Sequence, residues 1–478
     1  MSLVFAEPPP VVPPADCVVV KEGRAFIMDK RAEEEAGGGA DCHAQSHGHW
    51  IVDTPIANPM WGYASYKTSR KAWGIDAIGS MIVEVELTNG MVGVGISIGG
   101  AAGCTIVETH LARFVEGQDP RNVELIWDQM WRSTINYGRK GLPIQCISAV
   151  DIALWDALGK LRGEPVYQLL GGKTKERCPV YATTARPDLA YKMGFKGAKF
   201  PLPYGPADGH EGMRKNIERV KQVRASIPDP NFPIMIDCYM ALTVPYTIEL
   251  ARRIDREVPG GVKWIEEHLP PDDYDGYAEV KRVAGAWNLF TCGEHEYTRY
   301  GFRQLLEKKC CDVLQPDITW CGGITEARRI YALAAAYDIP CIPHGSSVYS
   351  YHLQFACAQS PVAELLIMSP KADKIVPYFG DLFTDEPLPV DGYISLDPTK
   401  PGFGVTLNRE GIKLIRPSPR TTDQLGTRAS RAAAAAAVPT RPDWLGRAIK
   451  IQSGGVSEAT DAAAAAGGGG GAGAGGGN

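Results

Sequence analysis

The chain has 478 residues, 44% hydrophobic and 22% charged, with a net charge of −5 and a pI near 6.0. Such a composition supports a large buried core, one large domain with a smaller companion. The mild acidity argues against nucleic acid and anionic membrane surfaces as partners. No segment approaches the roughly 20 consecutive apolar residues that span a bilayer.

In chain order, residues 1–36 form a Pro-rich, partly flexible segment whose opening "MSLVFAEPPPVVPP" is too short in its apolar run for a secretory leader. Residues 37–176 read as an α+β domain. A hairpin is expected over 78–99, turning at Asn89-Gly90, with helices near 105–118, 121–135 and 144–163. From about residue 177 the texture becomes strand–helix repeats. Eight apolar strands ("CPVYATT", "GAKFPLP", "PIMIDCY", "VKWIEEHL", "LFTCGEH", "DVLQPDI", "PCIPHG", "ELLIMSP") occupy about 200 residues, with helices clearest at 207–226, 245–257 and 323–337. This α/β pattern predicts a parallel β/α barrel over 177–378. A doubly wound sheet fits less well, because no glycine-rich phosphate loop follows the first strand. Residues 379–417 form a C-terminal segment, and the low-complexity tail 418–478 ("RAAAAAAV", "DAAAAAGGGGGAGAGGGN") is expected to be disordered. The twelve cysteines are scattered, with no CxxC pair, and read as reduced thiols of a cytoplasmic protein.

Barrel enzymes place their chemistry at the C-terminal strand ends. Here those ends carry Lys199, Asp237, Glu266, Glu294, Asp317, His344 and Glu364, and from Asp237 onward the spacings are 29, 28, 23, 27 and 20 residues by subtraction. Each is about one β/α unit, so the side chains converge on one mouth. A lone strand-end acid is usually structural; six groups in series are not so readily set aside. Three carboxylates from consecutive strands make an oxygen-only set suited to Mg²⁺ rather than zinc. Alternation alone leaves open which glutamate of "EEH" points inward. A carboxylate at Asp317 beside His344 would fix one ring nitrogen and raise the basicity of the other. A metal trio next to such a pair suits proton abstraction α to a carboxylate.

The stretches "GGGADCHAQ", "SAVDIALWDALGK", "YATTARPDLA", "MIDCYMAL", "KWIEEHLPP", "GEHEY", "QPDITWCGGIT", "PHGSSVYS" and "KPGFGVTLNR" resemble the enolase superfamily, in its mandelate racemase-like group and most closely the L-rhamnonate dehydratase family, over about 37–416. The resemblance implies a modified (β/α)7β TIM barrel under an N-terminal α+β capping domain to which 379–417 returns. It implies one Mg²⁺ per subunit on Asp237, Glu266 and Glu294, with Glu267 behind them, His344 as base, Asp317 as its partner, and Glu364 on the intermediate's oxygen. His43 and Arg70 from the cap would bind substrate with Lys199, and His295 is a further candidate, with His49 weaker. Where racemases of the group carry Lys-x-Lys, this chain has Lys199-Phe200-Pro201. The second base is missing, which suits a one-faced elimination. The implied activity is dehydration of a six-carbon sugar acid, L-rhamnonate to 2-dehydro-3-deoxy-L-rhamnonate, in a cytoplasmic homo-oligomer, dimer-based and up to an octamer. The rivals are another sugar acid (L-mannonate, L-lyxonate), a non-catalytic scaffold, and a Schiff-base aldolase using Lys199.

Overall fold

The computed structural model describes residues 18–29, 45, 48–67, 70–74 and 77–420. Within them lie a four-stranded antiparallel sheet and an eight-stranded, mainly parallel one. Within the segment 1–36, expected to be partly flexible, Val20–Met28 forms the strand β1, paired on one side with the short strand Leu414–Ile415. Its alternation is obscured because the register on its other side shifts between Val20 and Glu22, as a bulge does. The expected hairpin is present as β2 (Ser80–Leu87) and β3 (Val92–Ile98), with Gly90 at φ +85° in the turn.

Two glycines on β3 let a helix approach closely. A Cβ at Gly93 or Gly95 would lie 2.0 or 2.1 Å from the carbonyl oxygen of Ala153 or Ala149. That helix, Leu142–Arg162, is apolar enough to pass for a membrane span by composition but is mostly buried inside the fold. The helix expected from 105 starts at Gly100 and contains a π-turn, Val107–Leu111. Glu108 in that turn accepts from Ala25 N–H, Arg416 and Arg420, tying the C-terminal segment to the cap.

The barrel strands are β4 (Cys178–Thr183), β5 (Ala198–Pro201), β6 (Ile234–Asp237), β7 (Trp264–Glu266), β8 (Leu289–Cys292), β9 (Val313–Leu314) and β10 (Ala363–Leu366). Strand β10 pairs in parallel with β4, so the sheet's last strand returns to its first. The segment "PCIPHG" shrinks to one bridge, Leu314↔Cys341, since Pro340 and Pro343 offer no N–H to a ladder. Tyr181, Met235, Trp264, Val313 and Ile342 form a buried cluster inside the barrel. Side chains two residues further along share that face: Thr183, Asp237, Glu266, Gln315 and His344. The period-2 rule thus delivers these groups to one mouth. The tail beyond 420 lies outside the described residues.

Candidate active site

Asp237 and Glu266 are register partners on β6 and β7. Between the acids sits the buried ammonium of Lys199, paired with Glu266, 3.0 Å from Glu364 Oε1 and 3.9 Å from Asp237 Oδ2. Glu266 also accepts from Gln315 Nε2 at 2.7 Å and Trp264 Nε1 at 3.1 Å, and Glu364 from Gly345 N–H at 2.9 Å. Burial works against the lysine's charge, but the surrounding acids hold its pKa well above 10.5. Burial pushes the Glu266 carboxyl up, and Asp237, Glu364 and Glu294 push it further against the pull of Lys199. Lys199 thus answers three of the carboxylates, Glu266, Glu364 and Asp237.

Asp317 Oδ2 lies 2.7 Å from His344 Nδ1. Its Oδ1 accepts from Thr319 N–H (2.7 Å), Thr319 Oγ1 (2.6 Å) and Ser346 Oγ (2.8 Å). So held, the carboxylate accepts the hydrogen bond of Nδ1–H, and Nε2 faces Glu294 Oε1 at 3.4 Å. Burial disfavours the imidazolium, but Glu294, Asp317 and Glu364 overcome it and raise the His344 pKa to about 10.

The two glutamates of "EEH" diverge. Glu266 faces the barrel interior, whereas Glu267, at a left-handed φ of +39°, accepts from His295 N–H at 3.0 Å and lies 2.6 Å from its Nδ1. The His295 ring packs against Tyr239 (5.7 Å between centroids) and Trp320 (5.3 Å), and Trp320 reaches His344 (5.6 Å). From the cap, the Arg70 guanidinium lies 4.5 Å over the Tyr239 ring, with its Nε buried and unpaired. Beside this group lies a cavity of about 300 Å³, walled by Trp73, Ile78, Ile98, Leu142 and Gln145 of the cap and by Tyr239, Met240, His295, Tyr297 and Trp320 of the barrel.

Lys199, Asp237, Glu266, Glu294, His295, Asp317, His344 and Glu364 therefore converge on one mouth, with Arg70 at its rim, while His43 lies outside the described residues. His49 is not free for substrate. It caps the helix Trp50–Asp53 by accepting from Ile51 N–H, and its Nε2 lies 2.8 Å from the Met368 carbonyl oxygen. Sequence reasoning missed Gln315, Tyr239 and Trp320; only Gln315 had a signal, two residues before Asp317 on the same face.

The donor set of Asp237, Glu266 and Glu294 fits a hard divalent cation, being all oxygen and buried. A second arrangement is also present: ligating atoms of Glu267, Glu294 and His295 lie within 4.8 Å of one another, whereas Glu266 is turned to Lys199, Gln315 and Trp264.

The family model "Enolase C-terminal domain-like" matches residues 184–411, and "Mandelate racemase / muconate lactonizing enzyme, N-terminal domain" matches 52–171. Among solved structures, a rhamnonate dehydratase from Gibberella zeae complexed with Mg is similar at 45% identity, covering 89% of this chain and 99% of its own, with a TM-score of 0.79. A racemase from Streptomyces coelicolor with bound magnesium shares 29% identity over 69% of this chain and 90% of its own (TM-score 0.61). A 3,6-anhydro-D-galactonate cycloisomerase from Zobellia galactanivorans shares 30% over 69% and 92% (TM-score 0.59).

Proposed function

The chain belongs to the enolase superfamily, and we propose that it is a Mg²⁺-dependent dehydratase of sugar acids acting on L-rhamnonate. It is a hydro-lyase, and similarity to rhamnonate dehydratase over 89% of the chain supports the acid-sugar substrate class. The observation that carries the reading is His344. Its Nε2 faces the acid ring while Asp317 holds Nδ1 at 2.7 Å, and Pro201 stands where a second base would be needed for racemisation.

The neutral imidazole of His344, favoured once a cation offsets Glu294, takes the C2 proton at Nε2, and Asp317 stabilises the imidazolium that forms. Lys199 and Glu364, 3.0 Å apart, present a hydrogen-bond donor to the substrate carboxylate as charge develops there. His344 returns its proton to the departing 3-hydroxyl; the C3–O bond breaks, C2=C3 forms, water leaves, and the enol tautomerises to the 2-keto-3-deoxy acid. Asp237, Glu266 and Glu294 would hold Mg²⁺, which would supply positive charge for the substrate carboxylate and draw Glu294 away from His344. The cavity wall of Ile78, Ile98 and Leu142 suits a methyl-ended chain, which supports L-rhamnonate over L-mannonate, its hydroxymethyl counterpart.

The test is turnover of a sugar-acid panel with Mg²⁺ or excess EDTA, read as 2-keto-3-deoxy product, with His344→Asn alongside. L-Rhamnonate turnover that EDTA and the mutation both abolish is the expected result. Turnover of a different acid with the same dependence moves the substrate and keeps the mechanism. Silence on every acid with Mg²⁺ present sinks the proposal.

A further inference from the structure

The motif "SAVDIALWDALGK" lies on the cap helix Leu142–Arg162, and the proposed chemistry leaves it without a role. Of its polar residues, Ser148, Asp151 and Trp155 face the loop that leaves the Asp317 strand and the helix Gly323–Ala335 that follows it. Ser148 Oγ accepts from Gly322 N–H at 2.8 Å. Asp151 accepts from Thr325 N–H at 2.9 Å and from its hydroxyl at 2.5 Å, and Trp155 Nε1 donates to that hydroxyl at 2.9 Å. Elsewhere in the cap, Ser97 Oγ donates to the Thr319 carbonyl oxygen at 2.6 Å and Trp127 Nε1 to the Gly322 carbonyl oxygen at 2.7 Å.

Ser148, Asp151 and Thr325 are each 0% exposed. The fit has no slack: a Cβ on Gly323, at φ +79°, would lie 2.5 Å from Asp151 Oδ2. Burial pushes the Asp151 carboxyl up to about 7, against the pull of its Thr325 hydrogen bonds. A docking surface needing only adhesion could use apolar contacts without that cost.

The near end of the same loop is tied to the base. Thr319 N–H and Oγ1 hold Asp317 Oδ1, and Asp317 Oδ2 holds His344. Trp320, between the two anchors, packs on both site histidines.

We propose that the cap sets the catalytic base: Ser97, Ser148, Asp151 and Thr325 are positioning residues that clamp the 319–322 loop and the first turn of the helix Gly323–Ala335, and through them align Asp317 and His344. The cap is then a part of the base's support as well as a lid. This rests on the reading of His344 as base.

The test uses the full-length, Mg²⁺-loaded enzyme with L-rhamnonate and compares Thr325→Val and Ser148→Ala with the conservative Thr325→Ser. Loss of the Thr325 hydroxyl is expected to lower kcat by about ten-fold or more, with KM within about two-fold and a larger primary isotope effect from C2-deuterated substrate; Thr325→Ser stays near wild type. Amide hydrogen exchange of the 317–325 segment, followed without substrate, is expected to quicken in Thr325→Val and in Ser148→Ala. Unchanged exchange in both variants overturns the clamp. Equal loss of kcat in Thr325→Ser and Thr325→Val, or an unchanged isotope effect, overturns the link to the base. If wild type turns over no sugar acid, the functional reading has failed, and the exchange result alone decides whether the loop is clamped.

Discussion

His295 Nδ1 lies 2.6 Å from Glu267 Oε2 while Oε1 takes the backbone N–H of the same histidine at 3.0 Å. The second glutamate of the pair is thus spent on one neighbour, which it orients. Burial lowers the His295 pKa, but Glu267 and Glu294 outweigh that and raise it to about 9. At neutral pH this imidazole is a charged donor suited to a substrate hydroxyl. Glu267→Gln keeps the shape and removes the charge. It is expected to lower kcat/KM by roughly 10- to 100-fold, mostly through KM. Steady-state kinetics on L-rhamnonate decide; an unaltered KM would mean that His295 only packs.

Two candidate cation triads overlap at Glu294, and substitution separates them. With Asp237, Glu266 and Glu294 as ligands, Asp237→Asn and Glu266→Gln weaken Mn²⁺ binding by on the order of 100-fold, whereas His295→Gln leaves it within about three-fold. Titration of Mn²⁺ followed by paramagnetic resonance reads the affinity without needing turnover. The reverse pattern would assign the cation to Glu267, Glu294 and His295.

Arg70 is held by an aromatic face: its guanidinium lies 4.5 Å over Tyr239 and its Nε has no partner. Tyr239 stands at φ +42° beside Met240 at φ +60°, two residues after Asp237, so a strained turn aims the ring. A cation over a ring contributes roughly 0.5–2 kcal/mol. Tyr239→Leu should therefore raise KM by about 3- to 30-fold with little change in kcat, and Tyr239→Phe should keep most of the affinity. Equal KM values for the two variants would remove the ring from the account.

Strand-end residues were readable because a β/α repeat fixes their spacing and alternation fixes their face; Asp237 and His344 needed nothing more, whereas Glu266 could not be told from Glu267 without the register. Glu267 was not readable from alternation, since its direction follows from a left-handed φ. Tyr239 and Trp320 gave no signal, because an aromatic after a strand looks like core until its neighbours across the chain are known. Strand β1 was hidden by a register shift and the π-turn by an unbroken helical pattern. His49 shows the opposite error: a histidine near a loop motif became a substrate candidate, while both its ring nitrogens serve the backbone.

Two buried histidines outside the chemistry should set the enzyme's acid limit. His268 is 0% exposed between the rings of Tyr277 (4.5 Å) and Phe290 (5.0 Å), with neither nitrogen hydrogen-bonded. His352 accepts from Tyr167 N–H at 3.1 Å. Burial lowers both pKa values to about 3, from an ordinary 6.5. The folded pKa is depressed, so the unfolded chain binds more protons at acid pH. The stability these groups contribute is full above 6.5 and is lost as pH falls from there toward 3, at about 1.4 kcal/mol per pH unit for each histidine. His268→Leu removes one titrating group and an unsatisfied polar ring while filling similar space. Urea unfolding at pH 7.5, 6.0 and 5.0 should show the variant at least as stable as wild type at the highest pH, with an advantage that grows by about 1 kcal/mol between pH 6.0 and 5.0. Parallel pH dependences for the two proteins would show that His268 does not titrate on unfolding.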